Sequence, residues 1–235
     1  MGGLIIYQSE ILNGVRGLVH AFGCKGLDTS SPGEVPQDLR FLGIPPDRIV
    51  TLRQVHSSRV LIAREGDLEK KGKREGDGAV CLTPGLGMGI LTADCLPVIL
   101  ASDSPSGFAM IHCGWRGLKA GIVESGLNLY RRLTGAHPES IKAAIGPGAS
   151  SCCYKVGWDV AKLFSFGYPE CLKESAKDRF YLDLKGVSAK QLVSSGLLKH
   201  NIDMMKECTI CDDHFHSVRR EGGIKLRQIS VAFLS

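Results

Sequence analysis

The chain has 235 residues, 43% of them apolar and only 6% aromatic, which suits one large globular domain and excludes a disordered chain. Formal net charge is +5, and apart from the run EKKGKR at 69–74 the basic residues are scattered, which excludes the concentrated basic face of a nucleic-acid binder and leaves anionic small molecules as partners. No 18-residue apolar run could span a membrane, and MGGLIIYQSEILNG lacks the basic start and long apolar core of a secretory signal. The chain is therefore expected to be cytoplasmic, with its nine cysteines reduced.

In chain order, short apolar runs bounded by Gly, Pro or Asp predict strands at 17–22, 49–52, 60–63, 78–82, 87–92, 97–101 and 107–112. Over 118–133 the positions Ile122, Leu127, Leu129 and Leu133, with Ala120 and Val123 nearby, fit one apolar helical face despite Gly121 and Gly126. Pro138-Glu139-Ser140 leads into a strand at 141–145. Helices follow at 157–164, at 184–195 and, briefly, at 204–207, and a terminal strand closes the chain at 226–234. No repeat or linker divides the sequence, so residues 1–235 read as one mixed α and β domain, α+β in class.

Three motifs place a metal-competent side chain at the end of a predicted strand: Arg53-Gln54-Val55-His56, Thr92-Ala93-Asp94-Cys95 and His112-Cys113-Gly114-Trp115-Arg116-Gly117. Strand ends of a shared sheet bring distant residues together, and the loops there commonly carry function. Two His and one Cys form a good zinc set that leaves a fourth position open for water or substrate. Cys95 would bind as thiolate, and Asp94 would orient a ligand or act as acid or base. Spacing alone leaves the alternative of three unrelated side chains open. His56 and Cys95 are separated by 38 residues and Cys95 and His112 by 16, unlike any short zinc-finger spacing. Cys95 as a nucleophile with His112 as base, in a metal-independent hydrolase, is a second reading, and a non-catalytic partner-binding protein is a third.

The strings RQVHSSRV, GDGAV, LGMGILTADCLPVIL, IHCGWRGLKAGI, AAIGPGASSCCYKVGWDV, YLDL and FHSVRREGG, in that order, resemble the laccase-domain or multicopper polyphenol oxidase family. The resemblance implies stacked mixed β-sheets flanked by helices, an αββα-type sandwich. It also implies one catalytic zinc, or copper, on His56, Cys95 and His112. The implied activities are phosphorolysis of adenosine, inosine and methylthioadenosine to base and sugar 1-phosphate, and hydrolytic deamination of adenosine. Bacterial members are also linked to editing of peptidoglycan precursors. Seven histidines with a single HxH pair are too few for a four-copper oxidase, and the HxE and PCxxC signature of zinc nucleobase deaminases is missing.

Phosphorolysis calls for cations near the metal, which makes Arg53 and Arg116 candidates for phosphate. Gly114 would let backbone approach a ligand, Trp115 would stack on a purine, and Gln54 would support the ligand loop. Ser217, Arg219 and Arg220 match the family's FFSYRR-like string and are expected to close the pocket. His216 and Val218 depart from its aromatics, as HAFGCKGLD departs from an early THR-x-GG-like string. Purine nucleosides and phosphate are the implied partners of a monomer or weak homodimer. Cys208-Thr-Ile-Cys211 with His214 and His216 has the spacing of a second, structural zinc, although CxxCxxHxH would be cramped. Cys113, Cys152 and Cys153 are read as small structural residues.

Overall fold

The computed structural model describes residues 5–104 and 106–235. The first sheet joins β1 (Leu18–Ala21), β14 (Arg227–Leu234), β6 (Leu86–Thr92) and β3 (Ile49–Thr51) in that order, with β2 (Asp28–Thr29) also on β14. Only β3 and β6 run parallel in it. The second has the order β13 (Ile202–Met204), β9 (Lys142–Ile145), β7 (Leu96–Ser102), β8 (Gly107–Cys113), β5 (Gly78–Cys81), β4 (Val60–Ile62), its outer pairs parallel and its inner pairs antiparallel.

The two sheets stack. Val50, Met88 and Ile90 of the first meet Ala79, Ile99, Phe108 and Met110 of the second in one buried layer. β6, β7 and β8 are buried on both faces, which is why each reads as a continuous apolar run rather than an alternating one. The far face of the second sheet, Val98, Leu100, Ala109 and Ile111, is covered by α3 (Ile122–Thr134) and α5 (Leu184–Ser194). The far face of the first, Ile49, Ile229 and Val231, packs under Leu39 and Ile44, within and beside 3-10 turns at Gln37–Leu42 and Pro46–Arg48. The stacked mixed sheets stand as expected, with one flank of α-helices and the other of 3-10 turns.

The helix predicted at 118–133 is two: α2 (Trp115–Lys119) stops before Gly121, whose φ of +77° is left-handed, and α3 starts after it. Gly126 then lets α3 sit on β8, because a Cβ there would lie 2.3 Å from Ile111 Cδ1. Two expectations are corrected. Residues 204–207 are not helical: β13 pairs in parallel with β9, and Met205 N–H donates to Ile145 O (3.0 Å). The helix at 157–164 shrinks to α4 (Trp158–Ala161), after which the backbone tightens into turns, with Leu163 N–H donating to Val160 O (3.1 Å) and Phe164 N–H to Ala161 O (2.9 Å). A third, antiparallel sheet of β10 (Lys155–Gly157), β12 (Arg179–Leu182) and β11 (Leu172–Ala176) has no counterpart in the sequence reading. Short α1 (Glu10–Asn13) and α6 (Val218–Glu221) complete the chain.

Candidate metal centre

Two connections cross from the first sheet to the second at one end of the sandwich, and both carry candidate ligands. The segment after β3 carries His56 on its way to β4, and the short link from β6 to β7 carries Asp94 and Cys95. Antiparallel register sets Leu96 opposite Cys113 and Pro97 opposite His112, so the start of β7 lies beside the end of β8. The result is that the ligand atoms of His56, Cys95 and His112 all lie within 4.8 Å of one another. His56 Nε2 is 3.9 Å from Cys95 Sγ, and the two imidazole rings meet edge to face at 4.8 Å between centroids. His56 and Asp94 hold φ of +60° and +93°, left-handed values rare outside glycine. Such strain is kept where the surroundings impose it, often at functional sites.

What imposes it at His56 is Asp77, a fully buried carboxylate just before β5. Its Oδ1 accepts from His56 N–H (2.9 Å) and His112 Nδ1 (2.9 Å); its Oδ2 accepts from Val55 N–H (3.3 Å), Ser57 N–H (2.6 Å) and Ser57 Oγ (2.7 Å). One carboxylate thus fixes the ligand loop and orients the His112 ring, leaving Nε2 to face Cys95. Carboxylate behind imidazole is the usual support of a metal-binding histidine. In the sequence Asp77 stands within GDGAV with no role assigned to it. A lone acid between two glycines was the available signal.

Electrostatics follow the same geometry. Burial pushes the Asp77 carboxyl up, but hydrogen bonds from His112 and Ser57 outweigh it and hold the group well below the usual carboxylate range. Burial likewise raises the Cys95 thiol, yet the neighbouring His112 charge and hydrogen bonds from both histidines bring it down to about 6. His112 is disfavoured as a cation by burial, but Cys95 and Asp77 raise it to about 9. Both histidines thus favour the Cys95 thiolate, the form in which sulfur binds a metal. Gly114 completes the cradle: a Cβ there would lie 2.9 Å from Cys95 Sγ and 3.1 Å from His56 Cδ2. Three donors of this type meeting at one point, His56 exposed, Cys95 half-buried and His112 buried and oriented from behind, fit a tetrahedral ion with one position open.

The trio opens into a cavity of about 540 Å³, a size that takes a nucleoside-scale ligand. Five cationic side chains line it, Arg53, Arg116, Arg219, Lys225 and Arg227, against one acid, Asp94. Arg53 pairs with Glu75, while Arg116 stacks its guanidinium 4.3 Å over Trp115 and makes no ion pair among the described residues. Gln54 lies on the wall with its amide paired to Leu91, donating to its O (2.8 Å) and accepting from its N–H (2.9 Å), so it pins the ligand loop to β6. Asp94 is tied toward the C-terminus, Oδ1 accepting from Thr209 Oγ1 (2.9 Å) and Oδ2 from Arg219 N–H (2.8 Å). Tyr154, which the sequence reading left unassigned, lines the cavity beneath the Arg219 guanidinium, 4.8 Å from its ring centroid.

The expected ligand contacts of Ser217 and Arg220 are corrected, because neither side chain lines the cavity. Ser217 is buried and caps α6, accepting from Arg220 N–H (3.1 Å). Arg220 donates to the carbonyls of Thr209 (2.7 Å), Asp212 (2.8 Å) and Phe215 and to Glu221 (2.7 Å), holding the loop that precedes α6. Nor do His214 and His216 complete a metal set with Cys208 and Cys211: His214 pairs with Asp212 (2.9 Å) and His216 with Asp28 (2.9 Å). Cys113 is a buried core residue, as expected, whereas Cys152 is exposed and Cys153 half-buried. Among the described residues no potential metal group gathers more than two histidines, and no helix is long and apolar enough to cross a membrane.

The fold is that of YlmD from Geobacillus stearothermophilus (TM-score 0.86, 23% identity, 99% of both chains) and of the hypothetical protein YfiH of Bacillus licheniformis (TM-score 0.83, 24% identity, 93% of both chains). In sequence the chain is 32% identical over 194 residues to a purine nucleoside phosphorylase of Corynebacterium glutamicum, covering 83% of this chain and 77% of that one. It is 36% identical over 187 residues to a purine nucleoside phosphorylase of Deinococcus radiodurans (77% and 68% covered). It is also 31% identical over 192 residues to adenosine deaminase RL5 of an unknown prokaryotic organism (77% and 73% covered). Residues 36–235 match the family described as multi-copper polyphenol oxidoreductase laccase, and the chain belongs to that family.

Proposed function

We propose that the protein is a zinc-dependent purine nucleoside enzyme that cleaves adenosine, inosine and methylthioadenosine by phosphorolysis and deaminates adenosine by hydrolysis. The observation that carries the reading is the convergence of His56, Cys95 and His112 at a cavity with five cationic side chains and one acid. Relatives named purine nucleoside phosphorylase and adenosine deaminase support the substrate class. His56, Cys95 and His112 would hold the ion, zinc or alternatively copper, and when bound it supplies Lewis acidity toward a substrate atom or an attacking water.

The chain's own residues do the rest. Arg116, free of ion pairing among the described residues, and Arg53 bind phosphate, which attacks C1′ of the nucleoside while the C–N glycosidic bond breaks and its electron pair leaves with the base. Trp115 and Tyr154 offer flat surfaces for base and ribose. We assign Asp94 a positioning role, since its two oxygens hold Thr209 and Arg219 and so fix the loop that carries Cys95. Asp77 keeps His112 aimed into the cavity.

A second reading has one observation in its favour. Cys95, His112 and Asp77 also form the line of a thiol nucleophile, its base and the base's orienting acid, as a metal-independent hydrolase of a peptidoglycan precursor would need. That arrangement gives the strained His56 no task. The test of the first reading is the product mass from adenosine with and without phosphate: adenine and ribose 1-phosphate with it, inosine without it. Arg116→Ala should lower phosphorolysis at least about tenfold more than deamination, the effect of losing a charged hydrogen bond to phosphate. Equal loss of both activities would remove Arg116 from the phosphate site.

A further inference from the structure

The thiols of Cys152, Cys153, Cys208 and Cys211 lie within 4.8 Å of one another on the far side of the Asp94 turn from the first site. They come from two loops that the fold brings side by side. The first follows β9 and the second follows β13, and a bridge between Gly148 and Cys208, with Thr209 N–H donating to Gly148 O (3.2 Å), zips them together. Cys153 Sγ is 2.8 Å and Cys152 Sγ 3.5 Å from Cys211 Sγ. Cys208 Sγ accepts from Ser150 N–H (3.4 Å), and all four cysteines are free thiols. None of the four takes part in the chemistry proposed above.

We propose that these four cysteines form a second metal centre, a closed four-thiolate site for one structural zinc ion. A tetrahedral ion with bonds of about 2.3 Å holds its sulfurs about 3.8 Å apart, and the four thiols already lie within 4.8 Å of one another, two of the pairs at 2.8 and 3.5 Å. An iron–sulfur cluster would need its thiolates spread around several irons, wider than this grouping. Cys208-Thr-Ile-Cys211 supplies the CxxC half of a zinc knuckle, and the adjacent Cys152 and Cys153, on a turn rather than a strand, supply the other half in place of the histidines. Four thiolates and one divalent ion leave net negative charge. Buried Lys185 sits in Coulombic reach of Cys208 and Cys152, its Nζ donating to Met205 O (2.6 Å) and Glu207 O (2.7 Å) just before Cys208.

The position gives the ion a structural consequence. Tyr154 follows Cys153 directly, and Thr209 follows Cys208 and donates to Asp94, the residue before Cys95. Arg220 clamps the carbonyls of Thr209 and Asp212, which places Arg219 on the cavity wall. A zinc staple between the two loops therefore fixes one wall of the cavity without touching substrate.

The test is metal analysis of the full chain purified without added metal. Wild type should carry two zinc ions, His56→Ala should retain one, and His56→Ala with Cys211→Ser should retain none. Cobalt substituted into His56→Ala should give the intense visible bands and thiolate charge transfer of a four-sulfur tetrahedral site. Should the double variant fail to fold, alkylation of wild type gives the second reading: Cys152, Cys153, Cys208 and Cys211 should resist modification and become at least about tenfold faster to modify after chelation. A wild-type content of one zinc with these four cysteines freely modified, iron in place of zinc, or a mass two hydrogens lighter that locates a Cys153–Cys211 disulfide would each overturn the proposal.

Discussion

Asp77 accepts from five donors, and through them a single carboxylate sets both the backbone of His56 and the ring of His112. Asp77→Asn keeps the size but turns one acceptor into a donor facing N–H groups. Metal affinity at the first site should fall 10- to 100-fold, the usual effect of losing the carboxylate behind a ligand histidine; unchanged affinity in a chelator competition would show that Asp77 supports the fold alone. Gly114→Ala probes the cradle from the other side. A methyl group 2.9 Å from Cys95 Sγ must displace the sulfur, so zinc should bind at least about tenfold more weakly while circular dichroism and thermal unfolding stay near wild type. Equal affinity would mean that the loop yields freely. At this scale the three candidate ligands were legible because few residue types bind metal and each stood near a strand end. Asp77 was not, since its importance arises only when residues 55–57 and His112, far apart in the sequence, meet on it. Ser217 and Arg220 misled because a shared string does not say which way a side chain points, and both point into the protein.

Among the elements, β6, β7 and β8 were legible nearly to the residue, because strands buried on both faces are uninterrupted apolar runs. The hairpin of β11 and β12 was not: β11 is mostly exposed, and its Lys173, Glu174 and Ser175 read as loop. β13 is three half-buried or exposed residues that take their conformation from β9 rather than from their own pattern. β1 carries a feature with a measurable consequence. His20 is buried on it, with Nε2 accepting from Ser9 N–H (2.9 Å) and Nδ1 without a hydrogen-bond partner among the described residues. Burial, partly offset by Asp203, lowers its pKa from 6.5 to about 4. The folded protein therefore refuses a proton that the unfolded chain accepts below pH 6.5. Stability tied to His20 is intact above that pH and falls toward pH 4, by at most about 1.4 kcal/mol per pH unit. Urea unfolding at pH 7 and pH 5 should show wild type losing about 2 kcal/mol more than His20→Gln. Equal losses would mean that His20 titrates normally in the folded state.

Across the whole molecule, function is placed by topology. Two sheets stack, the chain crosses from the first to the second twice at one end, and these crossings bring His56 and Cys95 to the end of the strand that carries His112. The cavity is cationic, five basic side chains against one acid, a local excess that composition alone could not locate. The family strings gave the mixed stacked sheets, while the helical cover on one side and the 3-10 cover on the other emerge only from packing. The proposed function requires that His56, Cys95 and His112 hold one ion on which nucleoside turnover depends. Metal content and adenosine turnover, measured together on wild type and His56→Ala, decide it. The variant should carry one ion fewer per chain than wild type and lose turnover at least about a thousandfold, while unfolding cooperatively. Wild-type protein that is active with no metal at this site, or a His56→Ala variant that turns over adenosine at the wild-type rate, would contradict it.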